Sequence, residues 1–104
     1  KTTPGFDLPA RWVVHTVGPV WGGGAAGEPE QLASCYRESL AQADEVEAAT
    51  IVFPAISTGI YGYPADLAAA IAVDAVRAAT TRVDEIIFIC FDEATLSIYQ
   101  DLLA

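Results

Sequence analysis

Basic residues are scarce in this chain. Its 104 residues include five Lys and Arg against fourteen Asp and Glu, which gives a formal net charge of −9 at pH 7. A nucleic-acid backbone or an anionic bilayer would meet net repulsion, so the composition argues against both as partners. A phosphate-bearing ligand would have to be held by backbone N–H groups and helix ends.

Cysteines and long apolar runs are equally limited. Cys35 and Cys90 form neither a CxxC pair nor a Cys/His metal spacing, so we expect reduced, buried thiols and no metal or cofactor. No apolar run approaches the length of a membrane span, and no signal-peptide layout opens the chain. We therefore expect a cytoplasmic protein. A hydrophobic fraction of 53% in 104 residues predicts one folded domain.

Strand-like apolar runs alternate with helical patterns. Strands are predicted over residues 12–17, 51–56 and 86–91, and helices over 28–46, from Asp66 onward and after Asp92. Asp66 and Asp92 are predicted to cap their helices. The alternation indicates an α/β fold with a mainly parallel sheet and helices on both faces. In such folds, ligands bind beyond the carboxyl ends of the strands.

Apolar spacing predicts which side of each helix is buried. The positions expected to face the core are Leu32, Cys35, Tyr36, Ser39, Leu40 and Ala43 in the first helix, Leu67, Ala70, Ile71 and Ala75 in the second, and Leu96, Tyr99, Leu102 and Leu103 in the third. The apolar strands should be covered on both faces.

Residues 57–64 carry the clearest chemical signal. They lie between the carboxyl end of a predicted strand and the amino end of a helix, and Gly59 and Gly62 allow close approach of a ligand and positive φ. Successive N–H groups backed by the helix dipole would form a nest for the oxygens of a diphosphate. On spacing alone, a connector without a ligand remains an equal alternative.

Aromatic side chains flank this segment. Tyr61 is placed to cover a sugar ring, whereas Tyr63, beside Pro64, is interpreted as a packing residue. Phe91 ends a strand at the same predicted sheet edge, where contact with an adenine ring and burial in the core are both open.

The other candidate groups favour no covalent chemistry. The single histidine, His15, lies within an apolar strand pattern and is interpreted as a hydrogen-bonded core residue. Ser57 and Thr58 have no GxSxG elbow and no evident acid–base partner. The acidic residues at 44–47 lack metal-ligand spacing and are interpreted as solvated surface.

Three stretches together resemble the macrodomain family of ADP-ribose binders, in particular its O-acetyl-ADP-ribose deacetylase and mono-ADP-ribosyl hydrolase branch. They are residues 4–11 leading into 14–19, residues 54–64, and residues 90–92. The resemblance covers essentially the whole chain, and residues 54–64 look like the family's second phosphate loop nearly residue for residue. It implies a three-layer αβα fold with a mixed, mainly parallel sheet.

The resemblance also implies a ligand site. The backbone of residues 57–62 would wrap the diphosphate and distal ribose, Tyr61 would shield that ribose, and Phe91 would lie near adenine. The implied ligand-binding residues are Ser57, Thr58, Gly59, Ile60, Tyr61, Gly62 and Phe91.

By the same resemblance, residues 1–104 form a single partial macrodomain that lacks the amino-terminal strands and helix. The family carries there an adenine-contacting Asp, an Asn that orients the distal ribose, and a first glycine-rich loop, so no catalytic residue is expected in this chain. The missing strand would lie between the strands around His15 and Phe53, and its absence leaves two open edges. The missing portion would be cut, disordered or supplied by another polypeptide; the alternative is that the fragment associates to fill its gap.

Three functions follow as expectations. In its complete form, the domain would use a bound water to hydrolyse O-acetyl-ADP-ribose or mono-ADP-ribosyl esters, whereas this fragment alone would be inactive. A non-catalytic reader of ADP-ribose or mono-ADP-ribosylated protein is the first alternative. A truncated fragment without a ligand is the second.

Overall fold

The computed structural model describes residues 2–4, 12–58 and 61–104. Four short strands and three helices follow one another in these ranges. In chain order they are β1 (Thr2–Pro4), β2 (Trp12–Val14), α1 (Glu28–Glu45), β3 (Thr50–Phe53), α2 (Ala65–Ala78), β4 (Glu85–Phe88) and α3 (Glu93–Leu103). No helix formed by these residues is both long and apolar enough to cross a membrane.

The strands form two separate pairs. β1 and β2 are antiparallel, with Thr2 opposite Val14. β3 and β4 are parallel, with Phe53 opposite Phe88, and α2 connects them as a βαβ unit. The predicted α/β fold class is therefore confirmed. Within the described ranges, no strand pairing joins β2 to β3.

The core lies between the three helices and one face of the β3–β4 pair. Phe53 packs on Tyr36 of α1, with ring centroids 4.8 Å apart, and on Phe88 at 6.0 Å. Phe88 in turn stacks on Tyr99 of α3 at 4.8 Å. These rings tie β3 and β4 to α1 and α3, while small side chains of α2 complete the same cluster.

The opposite face of the β3–β4 pair is open. Val52 is 49% exposed, Ile87 39% and Ile89 43%. Because side chains alternate across a strand, these residues point away from the face that the helices cover. The expectation that both faces of these strands are covered is therefore wrong for the part of the chain that the structure describes.

Helix α1 has the predicted extent and orientation. All six positions expected to face the core are buried, and Cys35 donates a hydrogen bond from its Sγ to the carbonyl of Val17 at 3.5 Å. Cys35 and Cys90 are both free thiols, the first buried as predicted and the second only half-buried.

Helix α2 confirms its predicted buried face only in part. Ala75 is buried as predicted and the half-buried Ile71 packs against the core, but Ala70 is only half-buried and Leu67 is 46% exposed. The other buried residues of α2 are Ala68, Ala69, Ala72 and Val73. α2 packs against both α1 and α3, and small side chains allow helices to approach closely. The predicted cap is also wrong, because Pro64 is the N-cap residue and Asp66 lies within the first turn.

Helix α3 agrees with its prediction in part. Asp92 caps α3 as predicted, since its carboxylate accepts a hydrogen bond from the Thr95 N–H at 2.7 Å. Tyr99 is buried, but Leu96 and Leu103 are exposed because only a narrow stripe of α3 faces the core.

Strand β2 is shorter than predicted. It ends at Val14, so His15 lies beyond it and is exposed, which contradicts its interpretation as a core histidine.

Candidate functional site

The loop between β3 and α2 lies at the carboxyl end of the parallel strand pair. A hydrogen bond from the Ile89 N–H to the Phe53 carbonyl, 2.9 Å long, continues the pairing beyond the last strand residues. The residues after β3 and after β4 therefore leave the sheet at the same edge, as the parallel topology requires. Phe91 lies at this edge with 85% of its surface exposed, so it is not a core aromatic.

The described part of this loop is a compact turn. Ser57 has a φ of 68°, and the Tyr63 N–H donates a 2.9 Å hydrogen bond to the Ser57 carbonyl, which closes the loop. The Thr58 hydroxyl donates to the Ala55 carbonyl at 3.0 Å. Gly62 has the positive φ predicted for it, at 73°. The remaining two candidate loop residues, Gly59 and Ile60, lie outside the described residues.

The two loop tyrosines have different environments. Tyr63 is only 2% exposed and packs on Trp21, with ring centroids 4.6 Å apart, which confirms its interpretation as a packing residue. Burial raises the pKa of Tyr63, and the negative charge of Glu28 adds to this. Tyr61 is half-buried, and its carbonyl accepts a 2.9 Å hydrogen bond from the Trp21 N–H.

Two buried hydroxyls near the loop have no hydrogen-bond partner within the described residues. They are the Ser57 hydroxyl and the Tyr63 hydroxyl. Buried polar atoms are nearly always paired with protein or water. Ser57 thus combines an unsatisfied hydroxyl with a left-handed backbone, a conformation that costs energy for a residue with a Cβ.

Glu28 organises the glycine-rich segment that precedes α1. Its carboxylate accepts hydrogen bonds from the N–H groups of Gly22 at 2.8 Å, Gly24 at 2.9 Å and Ala26 at 2.7 Å. These backbone hydrogen bonds, that of Gly24 above all, lower the pKa of Glu28 to about 2. The side chain is buried, with 2% exposed. Residues 22–26 therefore form a closed loop around one carboxylate, which we call the Glu28 loop.

Glu28 is not among the residues singled out from the sequence, where it enters only as the first residue of the helix predicted over 28–46. The available signal was the spacing: a carboxylate at the first helical position follows a run of glycines closely enough to fold back onto their N–H groups.

A surface cavity of about 640 Å³ lies elsewhere, between the segment after β2 and the first half of α1. Its lining includes Thr16, Gly18, Cys35 and Glu38, and none of the described candidate residues. The candidate loop and Phe91 instead lie on an open sheet edge.

The comparisons with known proteins identify the family. The chain is 53% identical over 103 residues to a macro domain-containing protein of Ralstonia nicotianae, a match that covers 99% of this chain and 60% of that protein. It is 52% identical over 101 residues to the O-acetyl-ADP-ribose deacetylase of Klebsiella pneumoniae, with 94% of this chain and 58% of that protein covered. The chain therefore spans about 60% of the length of these curated relatives.

Solved structures give the same family. A variant of the Oceanobacillus iheyensis macrodomain superposes with a TM-score of 0.91 at 41% identity, covering 99% of this chain and 56% of that chain. The Trypanosoma brucei macrodomain in complex with ADP-ribose superposes with a TM-score of 0.86 at 35% identity, covering 100% and 43%. A family model described as Macro domain matches residues 1–72, and the chain belongs to that family.

Proposed function

We propose that this chain supplies the diphosphate, distal-ribose and adenine contacts of an ADP-ribose site. The backbone of residues 57–62 would hold the diphosphate, Tyr61 would cover the distal ribose, and Phe91 would lie against adenine. The observation that carries the proposal is the shared edge: the loop precedes the amino end of α2, and the exposed Phe91 leaves the sheet beside it. A helix amino end and loop N–H groups favour anions without basic side chains.

The proposed reaction of the complete domain is hydrolysis of O-acetyl-ADP-ribose or of mono-ADP-ribosyl esters. It is supported by the 52% identity to the Klebsiella pneumoniae deacetylase. A bound water would attack the ester, and residues 57–62 would contribute positioning and electrostatic stabilisation. The groups that activate the water would belong to the amino-terminal portion of the domain.

That portion, supplied by the same polypeptide or by another, would fill the space between the two strand pairs. The support is structural, because β2 and β3 each have an open edge within the described residues. Such an edge presents unpaired N–H and C=O groups that can pair with a further strand. The curated relatives also contain about 40% of their length beyond the match, as the 60% coverage of the Ralstonia protein indicates.

A reader of ADP-ribose or mono-ADP-ribosylated protein is the second candidate function. The Thr58 hydroxyl is engaged with the Ala55 carbonyl, and the described candidate residues include no carboxylate or imidazole to act as a general base. This set of residues can bind a ligand but offers no proton acceptor for a hydrolytic step.

Calorimetric titration with ADP-ribose tests the binding proposal. The chain would be titrated alone and as a chimera that carries the part of the Ralstonia relative that lies outside the match. Binding of ADP-ribose by either form supports the proposal, and the absence of measurable binding to both forms refutes it. Acetate release from O-acetyl-ADP-ribose by the binding form then separates a hydrolase from a reader.

Two substitutions locate the site within the binding form. Gly59→Glu would place a carboxylate against the diphosphate and abolish binding, whereas Gln100→Glu adds the same charge to an exposed position of α3 and should leave affinity unchanged. Tyr61→Ala should weaken binding or turnover through loss of the ribose contact. Unchanged affinity in Gly59→Glu would remove the loop from the site.

A further inference from the structure

We propose that Glu28 is a positioning residue for the candidate ligand loop. By holding the Glu28 loop, residues 22–26, it fixes the two described ends of the candidate ligand loop, at Ser57 and at Tyr61, in the positions that receive the ligand. The inference rests on the proposed ADP-ribose site for its functional meaning, but the hydrogen bonds that connect the two loops are present whether or not that site binds ADP-ribose.

Two consecutive N–H groups make the connection. The Trp21 N–H donates to the Tyr61 carbonyl at 2.9 Å, and the Gly22 N–H donates to Glu28 Oε2 at 2.8 Å. The direction of one peptide N–H is therefore set by the ligand loop and that of the next by the carboxylate. If the carboxylate releases Gly22, the backbone at Trp21 is free to rotate, and Tyr61 loses a fixed donor.

A second route runs through packed rings. Gly24, held by Glu28 at 2.9 Å, lies under the Trp21 indole so closely that a Cβ at position 24 would come within 2.9 Å of it. The indole in turn packs on Tyr63, whose N–H bonds to the Ser57 carbonyl at 2.9 Å. The contacts thus run from Glu28 through Gly24, Trp21 and Tyr63 to Ser57.

A carboxylate suits this position better than any neutral acceptor. Its two oxygens accept from three N–H groups, and the positive end of the α1 dipole lies beside it. Glutamine would replace one accepting oxygen with an NH₂ group, which faces N–H donors and cannot accept from them. Gly22, Gly24 and Ala26 precede the helix, and the N–H of Glu28 itself, at the first position of α1, also helps to lower the pKa of the carboxylate. The carboxylate therefore orders the loop together with the start of α1.

The test compares Glu28→Gln with Glu30→Gln. Both variants remove one carboxylate from the first turn of α1, but Glu30 is exposed and pairs with Arg37 on the surface. Two quantities are measured at pH 7: the affinity for ADP-ribose in the form that binds it, and the amide exchange rates of Trp21 and Tyr63. Exchange of amides within α1 reports the stability of the rest of the fold.

The expected result is selective. In Glu28→Gln, exchange at Trp21 and Tyr63 rises, exchange within α1 stays unchanged, and ADP-ribose binds about tenfold more weakly. Glu30→Gln should match the wild type in exchange at Trp21 and Tyr63, in exchange within α1 and in affinity for ADP-ribose. Glu28→Asp keeps a carboxylate at this position. It should therefore bind ADP-ribose more tightly than Glu28→Gln and less tightly than the wild type.

Each other outcome overturns a stated part. If amide exchange at Trp21 and Tyr63 is the same in Glu28→Gln as in the wild type, the coupling is refuted, whether or not the protein binds ADP-ribose. A uniform rise in exchange, with normal affinity of the folded fraction, assigns Glu28 to global stability alone. If the wild type does not bind ADP-ribose, the proposed function fails while the exchange result still decides the coupling. Should Glu28→Gln not fold, Trp21→Ala interrupts the ring contacts while keeping the carboxylate, and normal affinity there refutes the second route.

Discussion

Gly18 lies against Ser57 so closely that a side chain at position 18 has no room. A Cβ built there would overlap Ser57 Oγ and would lie 2.5 Å from Ile56 Cγ2. The segment after β2 therefore touches the start of the candidate ligand loop, although β2 and β3 are not paired. This contact is a direct link between the two strand pairs at the proposed site.

Gly18→Ala should consequently weaken ADP-ribose binding. The added methyl group displaces Ser57, and with it the backbone that closes onto Tyr63. We expect a loss of affinity of about tenfold, since a loop shifted by a fraction of an ångström loses well-aligned hydrogen bonds. Calorimetric titration measures the effect, with Val17→Ala as the control because Val17 is 80% exposed.

The double variant Gly18→Ala with Ser57→Gly sharpens this test. Glycine at 57 removes the overlapping hydroxymethyl group and accepts the φ of 68° without strain. Affinity should recover in part. Equal affinities for the wild type and Gly18→Ala would show that Ser57 tolerates displacement and does not shape the site.

The Glu28 loop should add an acid-dependent component to stability. The folded-state pKa of Glu28 is lowered from 4.5 to about 2 by the backbone hydrogen bonds, chiefly that of Gly24. A lowered folded-state pKa stabilises the fold at neutral pH, and this contribution disappears as the pH falls from about 4.5 to about 2.

Urea unfolding at a series of pH values between 7 and 2 measures this component. Glu28→Gln should show a shallower decline of the free energy of unfolding over that window than the wild type. Glu30→Gln serves as the matched control for removal of a nearby carboxylate. Parallel curves for the wild type and Glu28→Gln would contradict the assignment of the three hydrogen bonds to an ionised carboxylate.

The exposure of Leu67 in α2 predicts a contrast between two leucines. Leu32 of α1 is fully buried, so Leu32→Ala should lower the free energy of unfolding by about 2–5 kcal/mol. Leu67 of α2 is 46% exposed, so Leu67→Ala should cost well under that amount. Urea denaturation compares the two. Similar losses would favour the helix face predicted from apolar spacing over the observed one.

The cap of α3 gives a local test. Asp92→Ala removes the acceptor for the Thr95 N–H and should lower the melting temperature by a few degrees. Asp92→Asn retains an oxygen that caps nearly as well, so it should melt close to the wild type. A melting temperature that falls equally in both variants would show that charge, and not the hydrogen bond, stabilises this end of the helix.

Local patterns predicted the elements whose environment is set by nearby sequence. The 3.6-residue spacing of Leu32, Tyr36 and Leu40 identified the buried face of α1, because that helix buries one wide apolar stripe. Asp92 was identified as a cap because capping depends only on residues three positions apart. The packing role of Tyr63 followed equally from its position beside Pro64.

The remaining features depend on contacts that are distant in sequence. In α2, alanines occur on every side, so spacing could not distinguish the face that meets α1 and α3, and Leu67 was misplaced. His15 is predicted to lie in the core because its apolar strand pattern continues past Val14, whereas strand β2 ends at Val14. The hydrogen bonds from Gly22 to Glu28 and from Trp21 to Tyr61 join three segments through main-chain atoms, which no side-chain pattern reveals.

The open face of β3 and β4 also gives the chain a colloidal property. Val52, Ile87 and Ile89 offer an apolar surface for association between copies, while a net charge of −9 keeps copies apart. Salt weakens only the second effect, because the Debye length falls from about 10 Å at 0.1 M to about 3 Å at 1 M. Light scattering should therefore rise with ionic strength. Ile87→Lys should suppress that rise, because it places a charge in the middle of the exposed apolar sheet face.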